Sequence, residues 1–231
     1  MPATPASDTP PAPRPDFDSS EAPALRTRPW TVQEVDECTV KLLGKQGPFR
    51  PTVRLLEADG RYFVAKDYRA CTPLYRWSVG VWNLAKERAA LQRLSGIAGI
   101  PAIEGHAGRW IMVLTWFKGK DLGKARKLRQ TPEFFAEMME MVREMHRRGV
   151  VHLDLRQRRN VLVQPGRHPA IIDFGASLCL KPGGRLLRFL ALMDTSGVLK
   201  YKQRARPGSL TEDEARILQR VERRRRWWPF G

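Results

Sequence analysis

Apolar residues along this chain follow two periods, and the switch between them divides it. "PTVRLLE" and "RYFVAKDY" are rich in β-branched and aromatic residues, and the "ADG" between them supplies a turn, so the pair predicts a β-hairpin. From Tyr75 to Leu94 the spacing turns helical, until "GIAGIP" ends it through Gly and Pro. "HAGRWIMVLTWFKG" predicts a second hairpin whose last strand runs into a Gly-containing connector. A helix follows. Thr131 is a good N-cap and Pro132 a good first helical residue, and Phe135, Met138, Met139, Val142 and Met145 recur at helical spacing up to Gly149. Beyond it come "VVHLDLRQRRNVLV", a short strand "PAIID" and a helical segment around Leu186 to Met193. A last helix opens at Thr211, with Glu214 three residues on as a capping box.

Strands first with one helix among them, then a connector, then mostly helices: this order predicts a sheet lobe and a helical lobe with a cleft between, the place where ligands settle. The 231 residues, 42% hydrophobic, suffice for one large domain or two small lobes. Residues 1–28 are rich in Pro, Ala and Ser and are expected to be disordered; they hold no apolar run that would serve as a secretory signal. "IMVLTWF" is too short to cross a bilayer. Cys38, Cys71 and Cys179 are too sparse for a disulfide framework or a zinc site and point to a reducing compartment, so a cytoplasmic protein is expected.

Charge changes the picture. A formal net charge of +17 calls for an anionic partner: nucleic acid, an acidic membrane face or a phosphorylated substrate. The run Arg223 to Arg226, followed by Trp227, Trp228 and Phe230, suits an anionic membrane interface. It equally suits a solvated basic helix whose tryptophans pack back on the protein; nucleic acid, for which no fold signature is found, ranks lower.

Candidate chemistry comes from residues far apart. Leu84, Glu87, Leu91 and Leu94 share one helix face, which puts a carboxylate on the apolar side, where it needs a partner or must snorkel. Lys66, in the strand "FVAKDY", is either an edge charge or that partner. His152 and Asp154 stand in a loop after one apolar run, and Asn160 directly precedes another. Thirteen positions later Asp173-Phe174-Gly175 leaves the strand "AII"; a strand fixes a carboxylate and a following Gly lets the chain turn, which suits metal binding.

A strand Lys, an inward helix Glu, then H-x-D, an Asn before a strand, and D-F-G form one ordered pattern over roughly Val40 to Gly175. It resembles the protein-kinase superfamily. The resemblance implies an α+β, two-lobed protein-kinase-like fold with a small antiparallel-sheet N-lobe bearing one helix and a reduced helical C-lobe. The corresponding division is a tail at 1–28, an N-lobe at 29–116, a C-lobe at 117–208 and a basic aromatic segment at 209–231. It implies that Lys66, positioned by Glu87, contacts the phosphates of ATP, and that Asp154 takes or orients the acceptor's proton. Asn160 and Asp173 would hold Mg2+, and Arg156 stands where many relatives have a phosphate-contacting lysine. The connector from Thr115 would lie beside the adenine. Gly44 and Gly47 of "GKQG" are all that remains of a glycine-rich phosphate loop.

Two departures narrow the class. The interval from Asp154 to Asn160 is one residue longer than the usual pattern, and no A-P-E signature or peptide-docking segment follows D-F-G. A small C-lobe with a basic tail resembles the lipopolysaccharide-core (Kdo and heptose) kinases and the RIO-like kinases. The expected function is therefore ATP-dependent phosphorylation of a sugar hydroxyl on a lipopolysaccharide-core glycolipid, at the inner face of the membrane. The alternatives are a RIO-like Ser/Thr protein kinase and an inactive kinase-like module that binds nucleic acid or membrane.

Overall fold

The computed structural model describes residues 29–44, 46–127 and 130–225. The N-terminal tail and the aromatic residues Trp227, Trp228 and Phe230 lie outside them. Helix α1 (Val32–Glu37) opens on a capping box in which the Thr31 hydroxyl accepts from the Glu34 N–H and the Glu34 carboxylate accepts from the Thr31 N–H. Strands β1 (Thr39–Leu43), β2 (Thr52–Ala58) and β3 (Arg61–Asp67) follow. The β2–β3 hairpin turns through Asp59 and Gly60, both at positive φ, at the "ADG" that predicted it.

A three-residue helix α2 (Pro73–Tyr75) passes through a π-helical turn at Arg76–Gly80 into α3 (Val81–Arg93). Strands β4 (Ile103–Ala107) and β5 (Ile111–Thr115) complete a five-stranded antiparallel sheet in the order β1-β2-β3-β5-β4. β5 explains its own unbroken apolar run: Ile111 and Val113 face a core shared with Trp30, Val35 and Phe63, whereas Met112 and Leu114 face the core beneath α3.

The second lobe begins at β6 (Lys120–Asp121) and continues in α4 (Pro132–Arg147), whose Thr131 cap and Pro132 start are as expected. Its buried face is Phe134, Phe135, Met138, Met141, Val142 and Met145, while Met139 is only partly covered. Gly149 stops it in the left-handed region, at φ 76°. Then come β7 (Val150–Val151), β8 (Val161–Val163), β9 (Pro169–Ile171) and β10 (Leu178–Cys179), with the small sheets β6-β8-β9 and β10-β7. Two long helices close the chain, α5 (Arg185–Ala205) and α6 (Glu212–Arg225), the latter on its Thr211–Glu214 capping box.

The architecture is the expected α+β two-lobed arrangement, an antiparallel sheet with its helix above a lobe of helices. One correction concerns α5, which runs 21 residues instead of the segment from Leu186 to Met193. The apolar period breaks at Asp194-Thr195-Ser196-Gly197, yet Asp194, Ser196 and Gly197 are buried inside the helix. Asp194 and Gly197 are buried against the neighbouring loop, which hydropathy cannot register. The C-lobe carries five short strands among the described residues, and the expected strand "PAIID" is β9.

Candidate active site

Strand β3 lies in the middle of its sheet, and α3 packs beneath it, so Lys66 and Glu87 point into the same space. Lys66 Nζ stands 2.6 Å from Glu87 Oε1 and 2.7 Å from Asp173 Oδ1. Glu87 is 1% exposed, and its Oε2 has no hydrogen-bond partner among the described residues. A buried carboxylate of this kind is tolerable only beside a cation. Burial by itself would lower the Lys66 ammonium, but the two carboxylates outweigh it and hold its pKa well above the ordinary lysine range. Asp173 is held below the usual carboxylate range by Lys66, against a smaller opposing effect of burial. Its side chain is 49% exposed, so the Asp173 carboxylate is the member of the trio that solvent, or a cation, can reach.

Asn160 and Asp173 leave the same end of one short ladder. Val161 pairs with Ile171, and the Ile172 N–H donates to the Asn160 carbonyl at 2.9 Å, so the amide and the carboxylate emerge side by side. Asn160 Nδ2 donates to Asp154 Oδ2 at 2.8 Å and to the Asp154 carbonyl at 3.0 Å. That leaves Asn160 Oδ1 and Asp154 Oδ1 to face elsewhere. The extra residue of this loop is absorbed locally: the Gln157 N–H donates to the Asp154 carbonyl, the Asn160 N–H donates to the Gln157 carbonyl, and Arg158–Asn160 form one 3-10 turn.

Three features anchor the loop, and none was expected from the sequence except the histidine. His152 is fully buried; its Nδ1 accepts from the Asp154 N–H at 3.3 Å and its Nε2 donates to the Ile172 carbonyl at 3.1 Å. Asp194, reaching in from α5, accepts from the His152 N–H at 2.7 Å and the Leu153 N–H at 2.8 Å, and meets His146 Nε2 at 3.1 Å. Tyr201, also on α5, donates to the Leu155 carbonyl at 2.7 Å. A signal for Asp194 did exist, an acid inside an otherwise apolar helical run, but its partners are backbone amides that no motif records. Two of the four non-glycine residues at positive φ among the described residues, Leu153 and Asp173, sit in this site, each a conformation that costs on the order of 1 kcal/mol.

Two expected members stand apart. Arg156 follows Asp154 by two residues, yet all three of its guanidinium nitrogens are buried without a hydrogen-bond partner, so it joins neither Asp154, Asn160 nor Asp173. Gly44 and Gly47 sit at the β1–β2 turn, Gly44 at φ 76°, and Lys45 between them lies outside the described residues. Leu43 pairs with Val53 and Val53 with Lys66, so that turn begins two strand spacings, roughly 10 Å, across the sheet from the Lys66 backbone.

Among the described residues no group of three or more His, Cys, Asp or Glu side chains is placed to hold a metal ion. An all-protein metal cage is not what Mg2+ needs, however. It takes one or two protein oxygens and completes its shell with water and phosphate, and the hard oxygens of Asp173 and Asn160 meet that requirement.

A central strand lysine paired to a helix acid, opposed by a loop aspartate, an asparagine and a D-F-G aspartate, defines a protein-kinase-like phosphotransferase. The chain matches the RIO domain over residues 64–217, from the middle of β3 to α6, and it belongs to the RIO-domain family within the protein-kinase-like superfamily. Membership makes it, in general terms, an ATP-dependent phosphotransferase. A comparison with curated proteins found no match.

Proposed function

We propose that the chain transfers the γ-phosphoryl group of Mg-ATP to a hydroxyl, with Asp154 as the base. The convergence of Lys66, Glu87 and Asp173 within hydrogen-bond distance, beside the Asp154–Asn160 pair, carries this reading. Lys66 binds the α- and β-phosphates and Glu87 holds its ammonium in place. Bound Mg2+, on Asp173 and Asn160, would neutralise charge on the transferring group. Asp154 Oδ2 is engaged by Asn160, which leaves Oδ1 to take the proton as the acceptor oxygen attacks phosphorus and ADP departs. Arg156 supplies a cation to the phosphates once its guanidinium turns out of the protein. Gly44 and Gly47 would offer backbone N–H groups to the phosphates.

For the acceptor we favour a sugar hydroxyl on a lipopolysaccharide-core-type glycolipid. Only residues 174–184 separate Asp173 from α5, and they form a 3-10 turn, the two-residue strand β10 and a Pro182-Gly183 turn. That leaves no segment on which an extended peptide would lie. The basic composition suits an anionic acceptor, and residues 29–116 and 117–208 serve as the two lobes around it. Membership of the RIO-domain family favours a second reading, a Ser or Thr hydroxyl on a protein. Radiolabelled ATP supplied with purified core glycolipid or with a cell-protein extract separates the two. Label on the glycolipid supports the first reading, whereas label on protein alone replaces it with the second.

A further inference from the structure

Eleven large apolar side chains are conspicuously exposed among the described residues, and five of them, Leu74, Trp77, Val79, Val81 and Trp82, fall within nine residues of α2, the π-turn and α3. Phe49 joins them from the β1–β2 turn, its ring 5.8 Å from that of Tyr75. This concentration is unlike the scattered exposure a protein surface ordinarily shows. None of these residues belongs to the site above: Trp82 and Lys86 lie on the outer side of α3, while Glu87 and Leu91 face inward.

The chain through the patch carries charge of one sign. From Thr72 to Lys86 the chain holds Arg76 and Lys86 and no acid. Lys86 Nζ stands 4.0 Å from the Trp82 ring centroid, and Arg109, from the β4–β5 turn, lies 5.1 Å from that of Trp77. Indoles with cations held against them are side chains with an apolar body and a charged rim, the composition that settles where lipid headgroups meet acyl chains.

Shape and charge choose among occupants. Leu74 is 84% exposed and the two tryptophans 58% each, so these side chains project from the surface instead of lining a groove that would hold a peptide. A second copy of the chain would bring like-charged rims together on a molecule already carrying +17. We infer that the Leu74–Trp82 face is a docking surface for an anionic lipid bilayer, with Trp77 and Trp82 inserted at the interface and Lys86 and Arg109 against the headgroups. It is a surface distinct from the basic C-terminal segment.

The test is co-sedimentation of the full-length chain, without nucleotide, with vesicles of phosphatidylcholine alone or containing one third phosphatidylglycerol. The wild type is expected to pellet with the anionic vesicles and remain in solution with neutral ones. Trp77→Ser with Trp82→Ser, and separately Lys86→Glu with Arg109→Glu, should each weaken binding by about tenfold or more. Serine at Arg223 to Arg226 should retain most of it. The charge-reversal pair keeps the test decisive if the serine pair fails to fold. The inference is overturned if the wild type does not bind anionic vesicles, if both patch variants bind as it does, or if only the C-terminal variant loses binding. Overturning it too would be a wild-type dimer that the patch variants convert to monomer, which would assign the face to a second copy. A chain that binds vesicles yet transfers no phosphate leaves this inference standing and removes the proposed function instead.

Discussion

Lys66 is the residue on which the site turns, because it is buried between two acids that come from opposite lobes. Removing one acid leaves a buried cation half matched. Glu87→Gln should therefore lower stability by about 2 kcal/mol, read as a fall in Tm of roughly 4–8 °C. It should also lower kcat/KM on the order of a hundredfold, because an ammonium free to drift by an ångström no longer meets the phosphates. The pH dependence follows from the directions of the shifts. Asp173, depressed when folded, adds stability above the ordinary carboxylate value near ~4, and this is lost as pH falls through its lower folded value. Lys66, raised when folded, adds stability below the ordinary lysine value near ~10.4, and this is lost only as pH rises beyond it. Denaturant midpoints measured from pH 5 to 9 should be flat with respect to this pair, and Lys66→Met, which leaves the Glu87 carboxylate buried without its cation, should lower the midpoint throughout that window. Arg156 behaves oppositely. Its unpaired buried guanidinium is a cost in the resting protein, so Arg156→Met should raise Tm while lowering turnover.

Among the elements, α5 shows what patterning reveals and what it misses. The ordered set Lys66, Glu87, Asp154, Asn160 and Asp173 could be read from the sequence because each stands on an element with a clear period or a local turn signal. The Thr131 cap and the Thr211–Glu214 box marked their helices for the same reason. Asp194 and Gly197 could not be read this way, since they break the apolar period of a helix to serve a loop 40 residues earlier. Asp194 holds two backbone N–H groups, and a Cβ on Gly197 would come within 3.3 Å of the Arg156 nitrogen and the Leu155 carbonyl carbon. Asp194→Asn substitutes a weaker acceptor and brings in an amide that must find its own partners. It should lower stability by about 3 kcal/mol, a fall of roughly 6–12 °C in Tm by thermal melt, and reduce turnover with it. The buried orphan state of Arg156 was equally hidden, because sequence spacing places a backbone but not the rotamer of a long side chain.

Across the whole molecule, the two lobes meet at the Lys66–Asp173 contact, where the proposed function puts the triphosphate. One core cluster runs from α3 and the inner face of β5 through α4 to β8, β9 and α5, so the lobes share packing behind the site. No helix among the described residues is long and apolar enough to cross a membrane. Only residues 174–184 separate Asp173 from α5, and acceptor choice, not nucleotide handling, separates the two readings of function.

The central claim is that residues from distant points of the chain share one nucleotide, and calorimetric titration of Mg-ATP into wild type, Asp154→Ala and Asp173→Ala tests it most directly. Wild type and Asp154→Ala should bind with affinities within about threefold, the latter having lost its phosphotransfer by a factor on the order of 10²–10⁴. Asp173→Ala should bind at least tenfold more weakly, and only in the presence of Mg2+ should that difference appear. Equal binding by Asp173→Ala and wild type in Mg2+, or no heat of binding in any of the three, would contradict the account.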